Sequence, residues 1–240
     1  MIINAQNLYY KELNQKIREA SDKDIVIENC LGQRYIGDGQ GNKNITIYGT
    51  PGNDLGAYLD GCTIRVMGNA QDATGDTMND GTIYIHGNSG DVCGYAMRGG
   101  KIFIRDNAGY RTGIHMKQYK EKKPVIVIGG TAGSFLGEYL AGGIIIVLGL
   151  NSEDTVPVGD FCGTGMHGGK IYLRCSRLPQ DLPKQVIARE ANEEDMEEIK
   201  GYIEEFCREF GKDKEQILNS KFFCLVPNTK NPYKQLYTHN

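Results

Sequence analysis

The chain has 240 residues, with 27 Lys and Arg against 30 Asp and Glu for a net charge of −3, and its 32 glycines are nearly twice the usual share. A balance this even, with no Lys/Arg block, argues against nucleic acid as a partner, and the apolar runs, such as 143–150, are too short to span a bilayer. The N-terminus has no basic region followed by an apolar run, so no signal peptide is expected and the expected location is cytoplasmic.

The first element is amphipathic. Leu13, Ile17 and Ala20 recur at helical spacing while Lys11, Glu12, Lys16, Arg18 and Glu19 occupy the other faces, which predicts a helix over 8–20 inside an N-terminal segment 1–22. Asp24–Glu28 reads as a strand placed 20 residues before the strand at Ile45, an imperfect first member of a series of repeats.

From Asn44 to Arg174 one phrase recurs about seven times, a glycine-punctuated turn and then a five-residue strand. The strand openers sit at 61, 81, 100, 124, 143 and 169, a basic period of 19 to 20 residues with two longer turns. Within each strand one set of positions is wholly aliphatic: Ile45/Ile47, Ile64/Val66, Ile83/Ile85, Ile102/Ile104, Val125/Val127, Ile145/Val147 and Ile171/Leu173. Alternation of period two sends that set to one face, so it is expected to point inward and stack from repeat to repeat. One strand per repeat, stacked in register, must run parallel. The expected fold is all-β, a parallel β-helix or solenoid of about seven to eight coils over a domain at 23–178, with an N-terminal helix and a helical C-terminal extension.

The turns repeat as well. Gly75, Gly94, Gly137 and Gly163 lie six residues before their strand openers, the place for corner glycines that tolerate positive φ. Met78, Met97, Leu140 and Met166 lie three before, which predicts a second internal ladder. Two repeats carry insertions, 117–123 and 150–158, expected as loops.

Beyond Leu178 the composition changes and a C-terminal extension, 179–240, is expected. Asn192 can cap a helix reaching Phe210, with Glu193, Glu194 and Asp195 suited to its N-terminal end and Gly211 to its exit. Met196, Ile199, Ile203, Phe206 and Phe210 form one apolar stripe. A short helix near 213–218, an extended 222–226 and a polar tail complete the chain.

Reactive groups do not assemble in the sequence. The seven cysteines form no Cys-x-x-Cys pair and read as reduced, buried thiols. His86, His115, His167 and His239 have no second ligand at metal spacing. Asp54, Asp60, Asp72, Asp76, Asp80 and Asp91 sit in successive turns, where aspartates bond their own backbone, although paired carboxylates would also suit a carbohydrate-active β-helix enzyme or Ca²⁺. No catalytic, cofactor-binding or metal residue is therefore assigned. One departure from the alternation remains: Ile126, Ile128, Ile146 and Leu148, taken as the outward set of adjacent repeats, make an apolar patch. It is covered by the C-terminal helix stripe or it is a partner interface, and these four residues are the candidate interface.

Gly90-Asp-Val-Cys-Gly94-Tyr-Ala-Met-Arg-Gly99-Gly100-Lys-Ile-Phe-Ile resembles the G-X-G-X-G domain of glutamate synthase, the C-terminal right-handed β-helix domain of its large subunit. The resemblance covers about 25–174, and the stretch 130–143 is a close match. It implies a non-catalytic subunit of a split glutamate synthase-like complex that aminates 2-oxoglutarate with glutamine. The subunit would brace a glutaminase-type amidotransferase against an FMN-dependent synthase, with FMN and iron–sulfur carried by those partners. A similar repeat occurs in a scaffold subunit of formylmethanofuran dehydrogenase, which is the alternative.

Overall fold

The computed structural model describes residues 1–152 and 155–228. The expected polar tail past Asn228, with His239, and the middle of the 150–158 insertion lie outside the described residues.

A short strand that the sequence did not announce, β1 (Ile2–Asn4), lies parallel to β2 (Asp24–Leu31), with Ile2 opposite Val26. Between them runs α1 (Tyr10–Glu19), which buries Leu13 and Ile17 in the core. Asn14 in α1 donates to the Arg34 carbonyl at 2.8 Å, tying the helix to the first turn.

Then come β3 (Asn44–Thr50), β4 (Asp60–Val66), β5 (Asp80–Ile85), β6 (Lys101–Ile104), β7 (Val125–Ile128), β8 (Ala141–Val147) and β9 (Gly168–Arg174). Each is parallel to the one before, and the connections are glycine-rich turns rather than helices. Register places isoleucine on isoleucine: Ile45, Ile64, Ile83, Ile102, Ile126, Ile145 and Ile171 form one continuous file, none more than 1% exposed. Stacked β-branched side chains are the cross-strand pairs that stabilise a sheet. Met78, Met97, Leu140 and Met166 form the expected second file, joined by Leu59 and Met116, all in the same core.

The turns are stitched together as tightly as the strands. Each bends through three residues of positive φ spaced two apart, as in Ala73-Gly75-Thr77, Val92-Gly94-Ala96, Arg111-Gly113-His115 and Phe135-Gly137-Tyr139. Non-glycine residues are uncommon there. They are held because the N–H groups of the outer two donate forward to the next repeat, Ala73 to Asp91 O at 2.9 Å and Thr77 to Tyr95 O at 2.8 Å. The central glycine donates backward, Gly75 to Leu55 O at 2.8 Å. A Cβ on the central glycine would strike the isoleucine file: at Gly94 it would lie 2.5 Å from Ile126 Cδ1. The constant phase of these glycines in the repeat is thus set by contact with the file as well as by φ.

The C-terminal segment completes the same sheet. After β9 come β10 (Val186–Glu190), α2 (Glu193–Phe210), α3 (Lys214–Leu218) and β11 (Phe222–Pro227). The edge of β9 is paired antiparallel with β11, and β11 antiparallel with β10, so the sheet order is β1 to β9 in sequence, then β11, then β10. Asn192 and Asp195 form a reciprocal capping box at the start of α2, and Gly211 ends it at φ 65°.

Two expectations are corrected by this architecture. The chain is not an all-β β-helix. Its strands form a single eleven-stranded, mostly parallel sheet with helices on it, which places it among α/β proteins with few helices. The repeat count covers only the strand–turn units and leaves the C-terminal residues as an appendage, whereas β10 and β11 join the sheet and α2 forms a layer on its face. The second correction is the phase of β7. Lys101 pairs with Val125, so Ile126 and Ile128 point into the core, and Val125 and Val127 point outward. In Pro124-Val-Ile-Val-Ile-Gly129 no polar side chain marks a face, so alternation cannot fix the phase, and taking Pro124 as the strand opener shifts it by one residue.

Candidate functional site

The four residues expected as a partner interface are all fully buried within the chain. Ile126 and Ile128 belong to the isoleucine file and its neighbour, while Ile146 and Leu148 lie on the outer face of β8 beneath α2. The four therefore form no common patch. What the structure assembles instead is an outer cluster of Phe103, Val127, Ile146, Leu148 and Tyr172 under Ile199, Ile203 and Phe206 of α2. The apolar stripe expected on α2 covers the sheet.

Around that cluster the helix is held by charge. Bases at outward strand positions meet acids on the facing side of α2: Arg65 Nε donates to Glu209 at 3.0 Å, Lys101 Nζ to Glu205 at 2.6 Å and Lys170 Nζ to Glu198 at 2.8 Å. His86 lies 3.1 Å from Glu209 and against the Phe210 ring. The Tyr84 hydroxyl donates to Glu205 at 2.8 Å and the Tyr172 hydroxyl to Glu198 at 2.9 Å. At the helix start, Asp195 is 2% exposed and accepts from the Arg189 guanidinium, from Asn192 N–H and from Lys170. Burial opposes ionisation of Asp195 and Glu198, yet hydrogen bonds from Arg189 to the first and from Lys170 and Lys123 to the second outweigh it. Both carboxyls are held below the usual range, Glu198 at about 2. These groups lock a helix onto a sheet, and their hydrogen bonds are directed at one another.

The other candidates are dispersed. All seven cysteines are free and buried, and burial pushes Cys30, Cys62 and Cys224 up to about 11 and Cys93 and Cys162 up to about 12, so they are neutral hydrophobes at physiological pH. Asp72 and Asp91 cap the turns above them, accepting from the backbone of Asp91 and Tyr110 at 2.9 and 2.8 Å. Asp60 and Asp80 receive Lys122, which folds the 117–123 insertion back along the turns at 3.3 and 3.2 Å. Among the described residues no three His, Cys, Asp or Glu side chains are placed to hold a metal ion, and no helix is long and apolar enough to cross a membrane.

One surface stands out that sequence reading missed. On the turn face of repeats four to seven, two short columns of rings project outward. In one, Arg111 lies 4.7 Å over the Phe135 ring, which stacks on Phe161 at 5.0 Å. In the other, Tyr95 meets His115 edge-on at 5.9 Å, and His115 stacks on Tyr139 at 5.2 Å and 7°. Tyr95, Tyr139 and Phe161 are 40%, 38% and 49% exposed. The Arg111–Glu138 ion pair, 3.0 Å, bridges neighbouring turns of this ridge. The available signal was phase: Tyr58, His115 and Tyr139 each follow the corner glycine by two residues.

Residues 12–228 match the GXGXG motif family. The chain belongs to that family. This GXGXG protein is 55% identical over 251 aligned positions to an uncharacterized protein of Methanocaldococcus jannaschii, covering 99% of this chain and 96% of that one. It is also 30% identical over 172 residues to ferredoxin-dependent glutamate synthase 2 of Synechocystis, covering 67% of this chain and 10% of the larger protein, so it spans about a tenth of that relative. Among solved structures it resembles a chain of the formyltransferase/hydrolase complex from Methylorubrum extorquens in complex with methylofuran. That likeness has a TM-score of 0.68 at 21% identity over 91% of this chain and 88% of the other. It is a likeness of fold.

Proposed function

We propose that this GXGXG protein is a non-catalytic structural subunit of a split glutamate synthase-like complex. In this reading it braces a glutaminase-type amidotransferase subunit against an FMN-dependent synthase subunit. The observation that carries the reading is the match to a tenth of a glutamate synthase, in a chain whose seven cysteines are buried, whose Asp72 and Asp91 cap turns and whose Glu198 is bonded to Lys170. FMN and iron–sulfur belong to the partners, the location is cytoplasmic, and the product is glutamate from 2-oxoglutarate and glutamine.

The test is affinity isolation of the tagged full chain from its native cells, with mass spectrometry and an absorption spectrum of what is recovered. Glutaminase-type and flavin-containing subunits are expected in the isolate, and the chain alone is expected to be colourless. A flavin spectrum from the chain purified by itself would refute the assignment. The fold likeness to the formyltransferase/hydrolase complex favours a second reading, a scaffold in a one-carbon complex of the formylmethanofuran dehydrogenase type. Molybdenum or tungsten subunits in the same isolate would select it.

A further inference from the structure

We infer that the turn ridge of repeats four to seven is the surface on which this chain docks a partner subunit, one that presents an apolar centre rimmed by Lys and Arg. The inference rests on the subunit reading above and adds the face and the chemistry of the contact. Three independent observations meet there. The first is the pair of exposed ring columns, Phe135–Phe161 and Tyr95–His115–Tyr139, built from the side chains most enriched at protein interfaces.

The second is backbone strain. His115, Phe135, Tyr139 and Phe161 have φ of 55°, 63°, 53° and 61°, a region in which a bulky residue is an outlier. The first and last repeats fill the position of His115 and Tyr139 with Gly39 and Gly165, which adopt that φ without cost. At Gly165 a Cβ would also lie 2.5 Å from the Tyr139 ring, so the last glycine makes room for that ring as well. Rings are kept where they face outward.

The third is charge. The turns at 53–58, 72–77 and 91–96, alongside the columns, hold Asp54, Asp72, Asp76 and Asp91 and no Lys or Arg. Burial raises the Asp54 carboxyl and repulsion from Asp76 raises it further, against Tyr35 and Arg34, which lower it. A second copy of the chain would bring an equally acidic flank and be repelled, as would a nucleic acid. A partner with a basic rim is complementary. Over β5 to β9 the outer face of the sheet is already occupied by α2.

The experiment uses the full chain in its native assembly. Hydroxyl-radical labelling is compared between the affinity-isolated assembly and the free chain from a heterologous host. Tyr95, Tyr139 and Phe161 are expected to be protected in the assembly, while Tyr48, 50% exposed at the end of β3 and away from the ridge, labels equally in both. In parallel, the double variant Tyr139→Asn/Phe161→Asn is expected to weaken association about tenfold or more. It should leave the unfolding midpoint of the free chain unlowered, because asparagine is the better tolerated residue at these φ values. A purely structural role for the rings would lower the midpoint instead. Association is expected to weaken as salt rises.

Equal labelling of the ridge in both states, or a double variant that associates normally, overturns the surface regardless of which subunits are recovered. Protection that appears in the pure chain at higher concentration assigns the ridge to a second copy and also overturns it. Protection by subunits unrelated to glutamate synthase supports the surface and refutes the functional reading. Isolation of the chain alone refutes both.

Discussion

Gly94→Ala tests the claim that the corner glycines are fixed by contact with the isoleucine file. The new methyl would sit at φ 70°, which costs an L-residue about 1–2 kcal/mol. Its Cβ would lie 2.5 Å from Ile126 Cδ1, and overpacking of a filled core adds about 1–3 kcal/mol. The expected loss is therefore about 2–5 kcal/mol, read by denaturant unfolding followed by far-ultraviolet circular dichroism. The two contributions separate in a double-mutant cycle. Ile126→Val removes the offending Cδ1 and leaves Cγ1 at 3.5 Å, an ordinary contact, at an intrinsic cost of about 0.5–1.5 kcal/mol. The pair Gly94→Ala/Ile126→Val should be less destabilised than the sum of the singles by about 1–2 kcal/mol. Val127→Ala, on the opposite face of β7, should be additive with Gly94→Ala. Additivity for the Ile126 pair, or coupling to Val127 in its place, would refute both the contact and the corrected phase of β7.

Phe206→Ala, which empties the centre of the outer cluster, should cost about 3–5 kcal/mol and expose α2 to limited proteolysis before the strands are cut. Lys101→Glu should destabilise by about 1–2 kcal/mol by opposing Glu205, and adding Glu205→Lys should recover roughly half of that in the same unfolding assay. Because Asp195 and Glu198 ionise more readily in the folded chain, their contribution is full above about pH 4 and is lost as pH falls toward 2, so the unfolding midpoint should drop over that window. Asp195→Asn/Glu198→Gln should flatten the drop. The thiols shift the other way: unfolded cysteines ionise near pH 8.5, whereas burial holds the proton on Cys30, Cys62 and Cys224 to about 11 and on Cys93 and Cys162 to about 12, so stability should decline as pH rises past about 8.5. A thiol reagent at pH 8 should accordingly modify none of the seven in the native chain and all of them in denaturant.

The repeat was legible because its marks are local and polar. Asp80-Gly-Thr-Ile-Tyr-Ile alternates, so the phase of β5 follows from its own side chains, and α2 announces itself by Asn192, an acidic first turn and Gly211. Where the marks vanish the reading fails. Val125–Ile128 is buried on both faces, so alternation carries no information and only pairing with β6 settles which side each residue takes. β1, β10 and β11 escape a local reading, or look like mere extended chain, for a related reason. They are short, and they exist because β2 and β9 offer free edges to be paired, a tertiary demand that no local pattern records. The same demand moved the fold class, since it turned the C-terminal segment from an appendage into part of the sheet and a layer on it.

The outward strand positions show how a docking surface can be misread as free. Ile146 and Leu148 are too apolar to leave in water, and that much of the reasoning holds. Yet the same outward positions also carry Arg65, Lys101 and Lys170, and α2 carries Asp195, Glu198, Glu205 and Glu209 on the side that bears Ile199 and Phe206. Bases around an apolar centre on the sheet, and acids around an apolar stripe on the helix, are two halves of one interface, which the chain closes on itself. The ridge has its own ion pair, Arg111 with Glu138, but the turns beside it at 53–58, 72–77 and 91–96 hold Asp54, Asp72, Asp76 and Asp91 and no Lys or Arg. By the rule that explains α2, a complement to that ridge is what the proposed partner subunit would supply.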